Sequence, residues 1–324
     1  MKTNPEVLKI AIVGAGHVGA TTAYALLLSG LAAEIVLVDV NRTKAEGEAM
    51  DLNHAVPFSH PTRIQAGDLA DCKDAAITVI AAGTNQQPGE SRLDLAKHNA
   101  SIFREIIPQV ARHAADGILL IATNPVDVLT YASWKLSGFS PNRVIGSGTI
   151  LDTARFRYLL GQHFGIESRS VHAYIIGEHG DSEVPVWSLA NIAGMRLREF
   201  CQHEGIAYDR HAMQAIFRQT RAASDEIIRR KGATFYAVAT GVVRIVEAIL
   251  RDENTLLTVS CLASHYGISE VCVSLPTKLN RNGAAHILQL PLSEQELSGL
   301  VKSAESVKAA IGALNLDVRH EAAA

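Results

Sequence analysis

The sequence lacks most of the signals that mark membrane, secreted and nucleic-acid-binding proteins. It has only four cysteines, whose spacings fit neither a zinc site nor a disulfide framework. No run of about 18 apolar residues occurs, because Glu34 and Asp39 interrupt the longest candidate. The first nine residues contain no apolar signal core. The 30 basic and 33 acidic residues are spread without blocks, so no nucleic-acid partner is implied. Together, these absences lead us to expect a cytoplasmic protein with no membrane, metal or nucleic-acid partner.

Apolar residues, by contrast, are abundant enough to build large cores. Of the 324 residues, 48% are hydrophobic and 19% are charged, which argues against disorder. A single core rarely grows beyond about 250–300 residues, so the length favours two domains. The sequence pattern changes near residues 146–148, and we place the domain boundary there, giving domains 1–148 and 149–324. We expect the tail from Asn315 onward to be frayed.

The first half alternates between short apolar runs and helix-length stretches. Apolar runs at residues 8–13 and 34–38 flank a helical stretch at 20–29, which Gly30 closes in the manner of a helix C-cap. Further strands are predicted at 76–82 and 117–123, and further helices at 93–113 and 126–137. Strands that alternate with helices predict a doubly wound parallel sheet of the Rossmann type.

The second half predicts a mixed α+β domain. A strand at 171–176 leads into a polar, glycine-flanked loop at 177–181, and antiparallel strands are predicted within 255–290. Ser293 and Glu296 form a capping box at the start of the last helix. The other predicted helices cover residues 152–163, 208–231 and 235–250.

A glycine-rich segment, Gly14-Ala15-Gly16-His17-Val18-Gly19, directly follows the first predicted strand. A lone G-x-G-x-x-G is weak evidence, but here a strand precedes it, a helix follows it and Asp39 ends the second strand. Gly14 allows a tight turn, Gly16 lets the backbone approach a pyrophosphate, and Gly19 lets the helix pack against the strand. The amides of the helix N-terminus would then bind phosphate.

Asp39 indicates which dinucleotide this segment binds. Its carboxylate can accept hydrogen bonds from the ribose hydroxyls and would repel a 2′-phosphate. The sequence therefore predicts NAD rather than NADP. The alternative interpretation is a glycine-rich turn followed by an ordinary surface aspartate.

Three polar segments, residues 83–92, 124–127 and 177–181, follow predicted strands, where a doubly wound sheet binds its ligands. His179 lies in the third, and an imidazole with a near-neutral pKa suits reversible proton transfer. Asp152 and Arg155 share a helix face, so the carboxylate could orient an imidazole and the guanidinium could bind a substrate carboxylate. A structural histidine and a surface ion pair are the alternatives at this point.

Six motifs in a fixed order together resemble the L-lactate/malate dehydrogenase family, and within it the bacterial L-lactate dehydrogenases. The resemblance covers the chain to about residue 314. It implies reversible hydride transfer between NADH and pyruvate, giving L-lactate. The motifs occupy residues 14–19, 82–95, 123–127, 151–155, 177–182 and 231–234.

The resemblance implies a role for each of the polar residues. His179 would donate a proton to the pyruvate carbonyl oxygen, and Asp152 would orient its imidazole. Arg155 would bind the substrate carboxylate. Arg92 lies on a segment similar to the family's mobile lid, whose closure would bring its charge to the carbonyl and exclude water.

Further contacts implied by the resemblance line the pocket and the cofactor. Asn124 would hydrogen-bond the reacting oxygen, and Thr234 would line the substrate pocket. A cis peptide bond is implied between Asn124 and Pro125, where the following proline permits it. The implied cofactor contacts are Gly14, Gly16, Val18, Gly19, Asp39, Lys44, Gly83, Thr84, Ala122, Thr123, Asn124 and Ser147.

Gln86 stands where the family contacts the far end of its substrate. A malate dehydrogenase has arginine there, which pairs with the second carboxylate of oxaloacetate. Against a neutral glutamine that buried carboxylate would be unpaired, and neither Asn85 nor Gln87 supplies a cation. We therefore predict pyruvate over oxaloacetate. The alternatives are a malate or bulkier 2-hydroxy acid dehydrogenase and a non-catalytic NAD-binding scaffold.

Arg157 and His172 match the basic pair that binds fructose 1,6-bisphosphate in the family's allosteric members. Arg157 lies roughly 200° around the helix from Arg155, so the two side chains point in opposite directions. In a homotetramer, symmetry-related pairs would meet and bind the phosphates, and the effector would favour the active assembly. The alternative is a pair of interface or surface residues without an effector.

Overall fold

The computed structural model describes residues 8–84 and 89–314. Expectations about Asn85, Gln86, Gln87 and the tail from Asn315 therefore lie outside the described residues. Along the described chain the strands are β1 (Lys9–Val13), β2 (Glu34–Val38), β3 (Arg63–Gly67), β4 (Ile77–Ile80), β5 (Ile118–Ile121), β6 (Val144–Gly146), β7 (Val171–His172), β8 (Ile175–Ile176), β9 (Val184–Pro185), β10 (Asn191–Ile192), β11 (Met195–Arg196), β12 (Thr255–Leu262), β13 (Cys272–Asn280) and β14 (Gly283–Ile287).

The helices fall between these strands much as the hydrophobic pattern predicts. The first begins at His17, three residues earlier than expected, and ends before Gly30 in the left-handed conformation. Ser293 and Glu296 form the predicted capping box of the last. The helices are α1 (His17–Ser29), α2 (Arg42–Ala55), α3 (Arg92–His113), α4 (Val126–Ser137), α5 (Ile150–Phe164), α6 (Leu197–His203), α7 (Arg210–Lys231), α8 (Tyr236–Leu250) and α9 (Glu294–Gly312).

Six parallel strands, all from the first half of the chain, form two-thirds of a nine-stranded sheet, whose order is β14-β13-β12-β6-β5-β4-β1-β2-β3. The parallel part has the doubly wound order 3-2-1-4-5-6, which confirms the predicted fold class. Strands β4 and β5 are buried along their whole length, because helices cover both faces. Helices α1, α2 and α8 pack on one face, and α3, α4 and α9 on the other.

The same sheet continues into the second half of the chain. Ser260 of β12 pairs antiparallel with Gly146 at the end of β6, and β13 and β14 extend the sheet as an antiparallel meander. The loop that follows β8 is joined to this extension, since Gly177 and Ser274 of β13 exchange backbone hydrogen bonds of 2.9 and 2.8 Å. The segment carrying His179 is thereby brought to the sheet edge where the parallel strands end.

One predicted element is wrong. Residues 171–176 form not a single strand but two strands of two residues each, β7 and β8, which belong to separate sheets. The chain is diverted at Ala173 and Tyr174, whose carbonyls accept hydrogen bonds from the Arg157 side chain and from Val186. These strands cover a third core cluster with α5, α6 and α7, centred on Phe156.

Two kinds of feature are absent from the described residues, a membrane-spanning helix and a cluster of metal ligands. No helix among residues 8–84 and 89–314 is long and apolar enough to cross a membrane. Within the same ranges, no group of three or more histidine, cysteine, aspartate or glutamate side chains is arranged to hold a metal ion.

Candidate active site

The glycine-rich segment forms a tight turn between β1 and the N-terminus of α1. A Cβ on Gly14 would lie 2.4 Å from the Ala82 nitrogen, and one on Gly19 would lie 1.8 Å from the Gly14 oxygen, so the fold itself requires both glycines. A Cβ on Gly16 would meet no atom within 4 Å. That side of the turn is open, and no side chain caps α1. The free amides and the open space fit a pyrophosphate.

Asp39 follows β2 and also shapes this turn. Its Oδ2 accepts a hydrogen bond from the Ala15 amide at 2.7 Å, and its Oδ1 accepts one from the Asn41 amide at 2.8 Å. The carboxylate therefore lies directly beside the glycine-rich turn. Lys44 is exposed in the first turn of α2, which the Asn41 side chain caps.

The remaining predicted cofactor residues lie at the carboxyl ends of β4, β5 and β6, where a buried side chain, Asn99 of α3, joins two of the loops. Its Oδ1 accepts the Thr84 amide at 2.8 Å, and its Nδ2 donates to the Asn124 carbonyl at 2.8 Å. Thr123 donates its hydroxyl to the Ala82 carbonyl at 2.7 Å. Asn99 was not predicted, because its partners lie 15 and 25 residues away in the chain.

His179, Asp152 and Arg155 form one contact group around a buried carboxylate. Asp152 of α5 is 3% exposed. Its Oδ2 lies 2.5 Å from His179 Nδ1, and its Oδ1 lies 3.0 Å from Arg155 Nη1. The ring nitrogen donates to the carboxylate, which leaves Nε2 of the imidazole directed away from Asp152. The predicted orienting and substrate-binding residues are thus in contact through a single carboxylate.

The Asp152 carboxylate controls the acidity of the imidazole. Burial alone would lower the pKa of His179, but the charge of Asp152 and its hydrogen bond outweigh burial and raise that pKa to about 9. Burial likewise favours neutral Asp152, but His179 and Arg155 hold its pKa below the usual range. The pair therefore favours imidazolium with carboxylate, the state from which a proton can be delivered.

A second buried carboxylate, Asp127 of α4, holds the main chain of His179. Its Oδ2 accepts the His179 amide at 2.7 Å, and its Oδ1 accepts the Ser260 hydroxyl at 2.6 Å. Burial raises the pKa of Asp127 to about 6, although both hydrogen bonds oppose that shift. Asp127 lies within the motif at residues 123–127, but the sequence did not indicate a role for it, because its partners are 52 and 133 residues away.

Arg92 is the first residue of α3 and lies beside the histidine loop. Its Nη2 is 3.6 Å from Asp181 Oδ1, and a Cβ on Gly180 would come within 2.5 Å of its Nη1. Arg221 of α7 approaches the same Asp181 oxygen at 3.8 Å. The predicted lid arginine is therefore close to His179. Arg221 was missed, since nothing in the pattern of α7 marks it.

Glu183 is another buried acid near the histidine that was not predicted. It is 7% exposed, and its Oε1 has no hydrogen-bond partner among the residues that the structure describes. Burial and then the charge of Asp152 raise its pKa to about 8. At neutral pH this side chain is therefore largely a neutral acid.

Thr234 lies half-buried between α7 and α8, next to Phe235. The Phe235 ring stacks on His17 of the glycine-rich segment, with centroids 5.1 Å apart and planes at 19°. This stack joins the cofactor side of the site to the substrate side. The peptide bond between Asn124 and Pro125 is cis, as expected.

The two predicted effector residues lie on adjacent elements. Arg157 of α5 donates from Nε to the Ala173 carbonyl at 3.0 Å, and burial lowers its pKa. His172 is exposed on β7 and borders an open cavity of about 500 Å³. Arg169 and Ser170 also line that cavity.

Comparison with known proteins places this site in a family. The model of the lactate/malate dehydrogenase NAD-binding domain matches residues 8–146, and that of the family's α/β C-terminal domain matches residues 149–315. The chain belongs to the lactate/malate dehydrogenase family. The dehydrogenase is accordingly an NAD-dependent oxidoreductase, and its cofactor is NAD, as the glycine-rich segment and Asp39 predicted.

Individual relatives match over nearly the whole length of the dehydrogenase. A probable L-lactate dehydrogenase of Schizosaccharomyces pombe is 58% identical, over 96% of this chain and 94% of the relative. The L-lactate dehydrogenase of Acetivibrio thermocellus is 52% identical, over 98% and 100%. The crystal structure of a minor L-lactate dehydrogenase from Enterococcus mundtii is 39% identical and superposes with a TM-score of 0.92, covering 96% of this chain and 99% of that one.

Proposed function

We propose that this protein is an L-lactate dehydrogenase that reduces pyruvate to L-lactate and catalyses the reverse reaction. The observation that carries the proposal is the double contact of Asp152, with His179 on one oxygen and Arg155 on the other. A proton donor and a carboxylate-binding group are thereby held next to each other by one buried carboxylate. The names of relatives that align over nearly the whole chain support the same reaction.

The chain's own residues account for binding and proton transfer. Arg155 would bind the pyruvate carboxylate through its free guanidinium nitrogens. When bound, NADH supplies the hydride that adds to the carbonyl carbon. His179 would deliver the Nε2 proton to the carbonyl oxygen, while its Nδ1 stays hydrogen-bonded to Asp152. Arg92 and Asn124 would stabilise the charge that develops on that oxygen. In lactate oxidation, neutral His179 accepts the proton.

Gln86 would select pyruvate over dicarboxylic acids. It precedes Arg92 by six residues in the chain and lies outside the described residues. Its neutral side chain leaves the second carboxylate of oxaloacetate without a partner, a cost of several kcal/mol for a buried charge. Replacement of Gln86 by arginine should therefore move the preference toward oxaloacetate.

We further propose a cytoplasmic homotetramer with an effector site for fructose 1,6-bisphosphate. The support is a half-buried arginine, Arg157, next to the strand that carries the exposed His172 beside a cavity. Two such pairs across a subunit interface would bind two phosphates. We also divide each subunit at residues 146–148 into a cofactor domain and a substrate domain that share one sheet.

The decisive experiment follows NADH absorbance with purified protein, with pyruvate and oxaloacetate offered in parallel, each with and without fructose 1,6-bisphosphate. We expect fast oxidation with pyruvate, slow oxidation with oxaloacetate and a lower KM for pyruvate with the effector. Preference for oxaloacetate would refute the role of Gln86. No oxidation with either acid would refute the proposed reaction, and an unchanged KM would refute the effector site alone.

A further inference from the structure

Asp127 occupies a position whose hydrogen bonds do not require a charge. The side chain is 2% exposed, and its oxygens accept two neutral donors, the His179 amide and the Ser260 hydroxyl. An asparagine could make both bonds, one as acceptor and one as donor to the hydroxyl oxygen. Burying a carboxylate with two neutral donors is costly. A purely structural role does not explain the acid at this position.

The position of Asp127 in the chain suggests why an acid is present there. It lies in the first turn of α4, three residues after Asn124 in the chain. The main chain of Asn124 is held by Asn99, whose Nδ2 donates to the Asn124 carbonyl at 2.8 Å. Asp127 thus connects the segment that carries Asn124 to the loop that carries His179. In the proposed reaction, the side chains of Asn124 and His179 must both contact the same substrate oxygen.

The surroundings of Asp127 allow its charge to act on the histidine. From β12 it faces Ser260 and Cys261, and burial raises the pKa of Cys261 to about 12, so this thiol stays neutral. From the histidine loop it faces Glu178 and His179. Behind the imidazole lie Asp152 and Glu183.

We propose that Asp127 is a positioning residue for proton transfer. It fixes the main chain of His179 relative to Asn124, so that both side chains converge on the carbonyl oxygen, and its negative charge supports the imidazolium in addition to that of Asp152. This inference rests on the proposed function for the identity of the reacting oxygen. The two parts of the role, position and charge, are separable by substitution.

Asp127→Asn keeps both hydrogen bonds and removes the charge. We expect the pH at which kcat/KM for pyruvate declines to fall by about one unit, with kcat at pH 6 within a few-fold of wild type. Asp127→Ala removes the acceptor as well. We expect its kcat to fall about 10–100-fold, with unchanged NADH affinity and a larger isotope effect with 4-deuterated NADH, because transfer of the hydride and proton becomes rate-limiting.

Ser133→Ala is the matched control, because Ser133 is also fully buried on α4 but donates only to the Leu129 carbonyl. It should leave the pH profile and the isotope effect unchanged. Should Asp127→Ala fail to fold, Asp127→Asn still decides the charge role, and Asp127→Ser, whose side chain is too short to reach both partners, replaces Asp127→Ala in the test of the positioning role. An Asp127→Asn enzyme with the wild-type pH profile would overturn the charge role, and an Asp127→Ala enzyme with wild-type kcat would overturn the positioning role.

A titration without substrate separates this inference from the proposed reaction. The His179 ring is followed by NMR in the NADH complex, and its signal is assigned by its loss in His179→Gln. A lower His179 pKa in Asp127→Asn supports the inference even if pyruvate is not the substrate. An unchanged His179 pKa overturns the charge role even if pyruvate is reduced.

Discussion

The cofactor side and the substrate side of this site are built in different ways. The cofactor side is mostly backbone, with a turn shaped by Gly14 and Gly19 and the free amides of α1. The substrate side is made of side chains from four separate elements, around Asp152, Asp127, His179 and Arg92. A backbone site is specified over a few consecutive residues. A site of buried charges exists only after the whole chain has folded, so the two sides should respond differently to substitution.

His179→Gln should give the largest difference between the effect on pyruvate turnover and the effect on NADH affinity. Loss of the proton donor should lower the turnover of pyruvate about 10²–10⁴-fold, the range for general acid catalysis. NADH affinity, measured by fluorescence titration, should stay within two-fold, because the hydrogen bonds of His179 among the described residues go to Asp127 and Asp152 and not to the turn at Gly14. A large loss of NADH affinity would show that the two sides of the site do not respond independently to substitution.

The pH profile tests the electrostatics of the substrate side. Reduction requires protonated His179, whose pKa is raised to about 9. We expect kcat/KM for pyruvate to be flat at lower pH and to fall about tenfold per pH unit above pH 9. In Asp152→Asn the decline should begin near the ordinary histidine value of 6.5. A wild-type decline already centred near pH 6.5 would show that Asp152 does not stabilise the imidazolium.

The same shift predicts how stability depends on pH. Because the folded-state pKa of His179 exceeds its ordinary value of 6.5, the His179–Asp152 pair stabilises the fold fully below that value. Its contribution is lost as the pH rises through about 9. Urea unfolding of wild type and His179→Gln across this range measures the difference, and the two curves should converge at high pH.

Gly16→Ala addresses the cofactor side alone. Its methyl group would enter the open space of the turn without touching protein, so the fold should be unaffected. NADH affinity should fall about 10–100-fold, because the methyl occupies the approach of the pyrophosphate. Gly47→Ala in α2 is the control, since its Cβ also meets no atom. That variant should keep NADH affinity and gain up to about 1 kcal/mol in helix stability.

The smallest effect should come from the stack that joins the two sides. Phe235→Leu removes the ring that stacks on His17, and an aromatic pair contributes about 0.5–1.5 kcal/mol. We expect the NADH affinity to fall and the pyruvate KM to rise, each by about 2–10-fold. Phe235→Tyr keeps the stack and should resemble wild type. An effect on one ligand only would mean that the stack does not connect the sides.

Hydrophobic periodicity and glycine placement were sufficient to predict the parallel sheet, the helices and the turn at Gly14, because each depends on neighbours in the chain. The strand predicted at 171–176 was wrong, since Arg157 and Val186 from elsewhere divert its backbone. Asn99 and Glu183 were missed for the same reason. Their importance comes from burial beside partners that the fold brings near, and a pattern of adjacent residues carries no record of such partners.

The carboxylate of Asp152 has an evolutionary consequence. One oxygen holds the proton donor and the other holds Arg155, so a substitution at position 152 alters proton transfer and carboxylate binding together. In genetic terms the position is pleiotropic, and selection cannot adjust one trait there without the other. Under the proposed mechanism, we therefore expect descendants that acquire a new acid substrate to change at other positions, such as Gln86 or Thr234. The chemistry is inherited as a unit, while substrate choice remains free to drift.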